Sequence, residues 1–409
     1  VKGQRFSALY VRDFRLFWFG QVISLSGTWM HSVAQSWLVY SLTRSPLYLG
    51  IIASLSSLPI LFLSIFGGMV ADRYPKRNIL IITQIMSIIP ALVIAILTDK
   101  NLITIWHLGV TATFLGIVNA FDLPARQAFL GEVVSKGDIT NAIALNSTAF
   151  NGARIIGPLI AGFIISHIGI PACFYINAIS FIPVILALSR IEARGVMKAY
   201  KGNILSDITD SWRFIIREKS IFYILFLIAI FSLFGIPYIT LLPVLASDVL
   251  KEGVRGLSFL VASAGAGSFT GALMIALKGE IRRTDIYLII AAIVFSFGIF
   301  LVPYSRNLYL SMFFIYFAGW GIVSFLATSN SFIQHTVTDA IRGRVMSLYT
   351  LVFLGFAPIG NSVIGFSAHK IGTVLSLKLF ALLCIAGSLL FWRLFKIHQN
   401  NIEILKEAQ

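Results

Sequence analysis

Long apolar runs of roughly twenty residues recur along the whole chain, each long enough to cross a hydrocarbon layer of about 30 Å at about 1.5 Å per residue. About twelve of them can be marked out, the first over 14–41 and the last over 373–395. A hydrocarbon interior offers backbone amides no hydrogen-bond partner, so runs of this length have to close their own bonds as helices. Composition agrees: 57% of residues are hydrophobic, 34 are Phe and only 12% are charged, more apolar surface than a water-soluble fold can cover. The first run has the length of a full crossing and is read as a membrane helix rather than a cleavable leader.

The connections between runs are short except for 191–220, near the middle of the chain. This divides the sequence into two bundles of about six helices each, 1–190 and 221–409, with 191–220 as the linker. Within the linker, Ile204, Leu205, Ile208, Trp212, Ile215 and Ile216 fall on one helical face, opposed by Asp207, Asp210, Arg213 and Arg217. That pattern predicts a helix lying along a membrane surface.

A formal net charge of +15 invites a nucleic-acid partner. The basic residues, however, are scattered over short connections, and no soluble binding domain exists to gather them. With the N-terminus inside the cell, inner segments hold Lys2, Arg5, Arg12, Arg15, Arg73, Lys76, Arg77, Arg126, Lys136, Arg190, Arg194, Lys198, Lys201, Arg213, Arg217, Lys219, Lys278, Arg282, Arg283, Arg342, Arg344, Arg393, Lys396 and Lys406. Outer segments hold only Arg44, Lys100, Lys251, Arg255, Arg306 and Lys370. This asymmetry predicts a bacterial inner-membrane protein with both termini cytoplasmic.

The two halves also repeat. At an offset of 203 positions, 127–169 aligns without gaps on 330–372, bringing Phe129 onto Phe332 and Leu145 onto Leu348. Four glycine pairs coincide in the same register: Gly152 with Gly355, Gly157 with Gly360, Gly162 with Gly365 and Gly169 with Gly372. Duplicated halves are a common plan for secondary transporters, which place the substrate between them near mid-membrane.

Between the second and third runs stands Gly68-Met69-Val70-Ala71-Asp72-Arg73-Tyr74-Pro75-Lys76-Arg77. It resembles the signature loop of the major facilitator superfamily, with Pro75 where the pattern has Gly. The fifth run carries Gly152, Gly157, Pro158 and Gly162, similar to the helix-contact motif of that superfamily's antiporters. The stretches 28–40 and 122–129 resemble the branch that contains enterobactin exporters and macrolide efflux proteins. The resemblance implies an all-α fold of 12 transmembrane helices in two pseudo-symmetric six-helix bundles. It also implies a conformational latch in which Gly68 admits a neighbouring helix while Asp72, Arg73 and Arg77 pair with the start of the eleventh helix and with Asp122, beside Arg126. Lys76 is read instead as a topology charge.

Polar groups at membrane depth are costly and face a cavity or another helix. Gln21, Ser24, Thr28, His31 and Gln35 recur at steps of three and four, one stripe of a helix, and are the expected cavity face. Asn151 and Arg154, midway along the fifth run, are expected to join them, Arg154 as an anion-binding group, as a group that responds to protonation of His31, or as a fixed interhelical pair. Asn119, Asn177, Asn330, Gln334 and Asn361 read as packing hydrogen bonds, and Pro237 and Pro243 as bends in the seventh run. For proton coupling the candidates are His31 and Asp122. Cys173 and Cys384 lie in apolar runs as inert packing residues.

No Gly-x-x-x-x-Gly-Lys phosphate loop, metal cluster or catalytic constellation is visible, so the expectation is a non-enzyme without cofactor or metal. The function expected is export of amphipathic small molecules of the drug or siderophore type by a monomer in contact with lipid and coupled to protons. Movement of lipid or lysolipid by the same fold is the alternative.

Overall fold

The computed structural model describes residues 7–135, 137–191, 214–216, 218–278 and 283–407. The linker residues Ile204, Leu205, Ile208 and Trp212, with their polar counterparts, and the basic residues Lys2, Arg5, Lys136, Arg194, Lys198, Lys201, Arg213, Arg217 and Arg282, lie outside the described residues.

Among the described residues the structure is helical throughout, with no strand. The first half comprises α1 (Arg12–Thr43), α2 (Pro46–Arg73), α3 (Lys76–Asp99), α4 (Ile105–Val133), α5 (Ile139–His167) and α6 (Ile170–Arg190). The second comprises α7 (Lys219–Val249), α8 (Gly253–Lys278), α9 (Thr284–Leu301), α10 (Leu308–Thr336), α11 and α12 (Thr373–Glu407). The eleventh helix is built of two segments, Asp339–Gly355 and Ala357–Ile371, which meet at Phe356. Pro358, lacking a donor, stands at the start of the second segment.

Eleven of these helices are long and apolar enough to cross a membrane. In α1 the polar stripe lowers the hydropathy, and its 32 residues run alongside α5 and α6 as the twelfth helix of the bundle. Large apolar side chains such as Phe62, Phe163, Ile179 and Leu389 point outward. A shell of that kind suits hydrocarbon as its solvent.

α7 is the least regular helix. A π-turn over Phe231–Gly235 passes into a 3-10 stretch over Ile236–Leu241, and a second π-turn covers Leu245–Val249. Pro237 and Pro243 each remove an amide donor from the ladder, which is the physical cause of the bends expected there.

Within the first half, α1 packs on α5 and α6, α2 on α4, and α3 on α4 and α6; in the second, α8 and α9 pack on α10, and α7 and α9 on α12. The halves meet through α5 against α8 and, in the mirrored position, α2 against α11. The repeated glycines explain why. A methyl group on Gly157 would lie 2.6 Å from Trp29 Cβ on α1, and one on Gly360 would lie 2.6 Å from the Leu233 carbonyl on α7. Gly162 likewise presses on Ser258 of α8, 2.7 Å from its Cβ, and Gly365 on Gly50 of α2, 2.8 Å from its Cα. Matched residues therefore make matched contacts, within a half and across to the other. Gly169 and Gly372 close the equivalence, both adopting positive φ (122° and 86°) at the turn into the next helix.

Two glycines depart from expectation. A methyl group added to Gly68 or to Gly152 would meet no atom within 4 Å, so neither is a close-contact site. In α2 the close approach is made at Gly67, which sits on the Ala120 carbonyl of α4.

Candidate functional site

A cavity of about 570 Å³ is lined mainly by the first half and bordered by the second. The five stripe residues of α1, Gln21, Ser24, Thr28, His31 and Gln35, all line it, because steps of three and four keep one face of α1 turned the same way. Its other walls come from α2, α3, α4, α5 and α6, and the second half contributes Ile239 and Thr240 from α7 and Leu257 and Val261 from α8. It extends from Val39 and Leu49 at one end to Asp122 and Arg126 at the other. The latter end lies toward the face that carries Arg73, Arg77, Arg190 and Lys219, the basic face.

Two polar centres sit in this wall. In the first, His31 is 4% exposed and both ring nitrogens are engaged, Nε2 with Gln35 Oε1 at 3.1 Å and Nδ1 with the Asn177 amide at 3.2 Å. An amide donor on Nδ1 leaves Nε2 to carry the hydrogen, a neutral imidazole with nothing unmet. The ring stands edge-on to Phe174, centroids 4.9 Å apart. Asn177, expected as a packing residue, is thus the group that holds the histidine.

The second centre surrounds Asp122, which is 4% exposed. Arg126 donates to it from Nε at 2.7 Å and forms an ion pair through Nη2 at 2.5 Å. Thr83 donates at 2.7 Å and Gln84 at 3.0 Å. Arg126 also donates to Gln21, and Ser24 to Gln84, so one charge-balanced network ties α1, α3 and α4 together. Thr83 and Gln84 are not singled out by sequence; the available signal is the polar cluster Thr83, Gln84 and Ser87 amid the apolar middle of α3.

Asn151 and Arg154 depart from their expected place, since neither lines the cavity. Asn151 turns back to the Ser147 carbonyl of its own helix at 2.9 Å. Arg154 reaches across the interface to Ser268 Oγ on α8 at 3.1 Å, with its guanidinium carbon 5.4 Å from the Trp29 ring centre. Asn361 accepts from Thr240 at 3.0 Å and Asn330 from Gln334 at 2.6 Å, while Asn119 is exposed on the cavity wall.

The loop between α2 and α3 is not paired as expected. Asp72 and Arg73 are exposed at the end of α2. Arg77 donates to the Leu188 and Ser189 carbonyls, 2.7 and 2.8 Å, closing the C-terminus of α6 rather than reaching α11 or Asp122. Lys76 is not a mere topology charge: it is 6% exposed and lies 2.8 Å from Glu132 at the end of α4. A cation at a helix start and an anion at a helix end each oppose the local dipole, and the pair offsets both.

The opposite face is clasped shut. Tyr40 donates to Asp248 at 2.5 Å and Arg44 to Ser247 at 3.2 Å, α1 to α7. Closer to mid-depth, Ser54 donates to the Pro358 carbonyl at 2.6 Å and meets Ser362 at 2.8 Å, α2 to α11. These bonds and the Gly162 and Gly365 contacts place the closure of the cavity on the side away from the basic face.

Two pseudo-symmetric helical bundles around a central cavity define the major facilitator type of membrane transporter. The chain belongs to the transmembrane secretion effector family of that superfamily, whose family model matches residues 4–407. It is 30% identical to the staphyloferrin A transporter of Staphylococcus aureus over 374 residues, 90% of this chain and 92% of that one. Macrolide efflux protein A of Streptococcus pyogenes is 22% identical over 370 residues, covering 88% of this chain and 90% of its own length. Among solved structures, a bacterial homolog of the lysosomal transporter Spinster, in an inward-facing and unoccupied conformation, has the same fold, with a TM-score of 0.73 at 13% identity and 95% and 97% of the two chains covered. A nucleoside transporter aligns with a TM-score of 0.76 at 15% identity, over 94% and 99% of the chains. The protein is a transporter, not an enzyme.

Proposed function

We propose that this protein exports an amphipathic small molecule across a bacterial inner membrane by alternating access, with protons as the coupling ion. The observation that carries this reading is the cavity: about 570 Å³, bordered by both halves, apolar over most of its wall, with one polar stripe along α1. That volume falls within the range that encloses drug-sized ligands, and the mixed wall suits a molecule with one apolar and one polar side. Relatives named for siderophore transport and macrolide efflux support the same substrate class.

Orientation follows from charge. Arg73, Lys76, Arg77, Arg126, Arg190 and Lys219 support a cytoplasmic basic face, with both termini on that side. The clasp from Tyr40 to Asp248 then lies on the outer side, and the state seen is one that loads from the cytoplasm. The halves 1–190 and 221–409, tethered by 191–220, would rock about the glycine contacts at 157, 162, 360 and 365 to expose the cavity outward.

His31 is the better of the two coupling candidates. Protonation of Asp122 would strip Arg126 of its counter-ion inside the membrane, a costly step. A second proton on His31 needs only that the Asn177 amide turn over and offer its oxygen. The test is transport by the purified full chain in proteoliposomes, with a panel of radiolabelled amphipathic compounds and an imposed pH gradient. Flux that rises with the gradient, and loses that dependence in His31→Gln while substrate exchange persists, is the expected result. Flux indifferent to the gradient in the unaltered chain removes protons from the account.

A further inference from the structure

Arg154 is half-buried and differs from the two ion-paired cations of the first half. Lys76 has Glu132 at 2.8 Å and Arg126 has Asp122 at 2.5 Å. Arg154, at mid-depth on α5, has no ion pair among the described residues; its side chain makes one hydrogen bond, from Nη1 to the Ser268 hydroxyl. That hydroxyl already donates to the Ala264 carbonyl at 2.8 Å and so can only accept from the guanidinium. Arg154 Nε is buried with no acceptor at all. A guanidinium is a fork of five donors matched to a planar anion, and here most of the fork is unused.

A second group nearby is also left open. Tyr238, on the 3-10 stretch of α7, is 2% exposed, and its hydroxyl has no hydrogen-bond partner. Tyr238 directly precedes the cavity-lining Ile239 and Thr240, and Arg154 lies over the cavity-lining Trp29, so both unmet groups border the same cavity. A buried donor without an acceptor carries its desolvation cost uncompensated. An unpaired cation at this depth adds to that cost. Together they describe a place finished by something that is not part of the chain.

The place adjoins the cavity. Trp29, over which the guanidinium lies, is a cavity-lining ring, and Phe150, edge-on to Trp29 with centroids 5.7 Å apart, is another. Ile239 and Thr240, the residues after Tyr238, line the same cavity. The unused guanidinium therefore neighbours the apolar chamber through Trp29.

We infer that Arg154, with the hydroxyls of Tyr238 and Ser268, forms the subsite for a carboxylate of the transported molecule, whose apolar body occupies the chamber beyond Trp29. A single guanidinium flanked by neutral hydroxyls is balanced by one negative charge, whereas a phosphate dianion would leave a buried excess. Planarity selects in the same direction, because a carboxylate takes two parallel N–H bonds from one arginine. The inference rests on the export reading above and narrows its substrates to amphipathic carboxylates.

The test is equilibrium binding to the purified full chain with three radiolabelled probes of one shape: 1-naphthaleneacetate, its neutral amide 1-naphthaleneacetamide, and 1-naphthyl phosphate. The carboxylate is expected to bind about ten-fold or more tighter than the amide, the equivalent of one charge-assisted bond pair, and tighter than the phosphate. Arg154→Gln should abolish that preference while leaving amide binding in place. Tyr238→Phe, which keeps the ring, should reduce the preference with an unchanged elution profile on gel filtration, so that the assignment stands even where Arg154→Gln fails to fold. Equal binding of acid and amide, a preference for the phosphate, or an undiminished acid preference in both variants overturns it. Export itself is read separately, from transport of an uncharged amphipathic dye in proteoliposomes. Dye transport without acid preference removes only the carboxylate subsite, and acid preference without transport of any compound removes the export reading.

Discussion

Asp122 shows how a charge is kept at membrane depth. Four donor contacts from Arg126, Thr83 and Gln84 converge on its two oxygens, and Arg126 in turn reaches Gln21. Removing the carboxylate leaves a buried guanidinium without its partner, a loss of about 3–5 kcal/mol for pairs of this kind. Asp122→Ala should therefore lower the thermal unfolding midpoint of the detergent-purified protein far more than Thr83→Ala, which deletes one neutral donor. Equal shifts in the two variants would mean that the network carries little of the stability of the first half. The sequence makes Asp122 conspicuous, since acidic residues in apolar runs are rare, but not its partners Thr83 and Gln84, which sit 39 and 38 positions away on another helix. Spacing along one helix reveals which residues share a face, as it does for Gln21 through Gln35. It cannot reveal which face meets which, and so Arg154 is legible as a costly residue but not as one turned toward α8.

At the scale of the helix, glycine position rather than glycine content decides how closely two helices pack. Gly157 faces Trp29 and the Ser26 carbonyl, where an added methyl would lie at 2.6 and 2.7 Å, and a backbone oxygen cannot move aside. Gly152, five residues earlier on the same helix, faces open space. Gly157→Ala is expected to lower the folded yield and thermal midpoint of the protein, while Gly152→Ala leaves both unchanged or slightly raised, because Ala is about 0.8–1.0 kcal/mol the better helix former. Gel filtration and thermal unfolding of the pair decide the matter; similar losses in both would contradict the packing described for α5. The helices themselves are readable from apolar run length, and α1, expected over 14–41, forms over Arg12–Thr43. Gly68 and Gly152 differ from expectation because a glycine motif does not state which of its members touches the neighbour. The irregular course of α7 is signalled by Pro237 and Pro243, though not its two π-turns, which depend on how the freed carbonyls are met in three dimensions.

For the whole molecule the question is what balances the closed outer side against the closed inner side. Tyr40 with Asp248 and Arg44 with Ser247 clasp the face away from the basic one, which the proposed orientation makes the outer side, whereas Asp72 and Arg73 of the signature loop are exposed. Under the alternating-access proposal, latch residues that lock the inner side are unengaged when that side is open, and the exposed Asp72 and Arg73 accord with that proposal. Because Asp248 is itself exposed, the Tyr40 bond is worth only about 1 kcal/mol, roughly a five-fold bias between states. Two variants should thus move the equilibrium in opposite directions. Tyr40→Phe weakens the outer clasp and should increase labelling of a Gln35→Cys cavity thiol by a membrane-impermeant reagent added from outside. Asp72→Asn weakens the inner latch and should decrease that labelling, together with transport, while membrane insertion stays normal. The native Cys173 and Cys384 are buried and form a low background. If both substitutions shift labelling the same way, or Asp72→Asn transports normally, the signature loop is not the counterpart of the outer clasp, and the inner closure must be sought among other contacts between α2, α4 and α11.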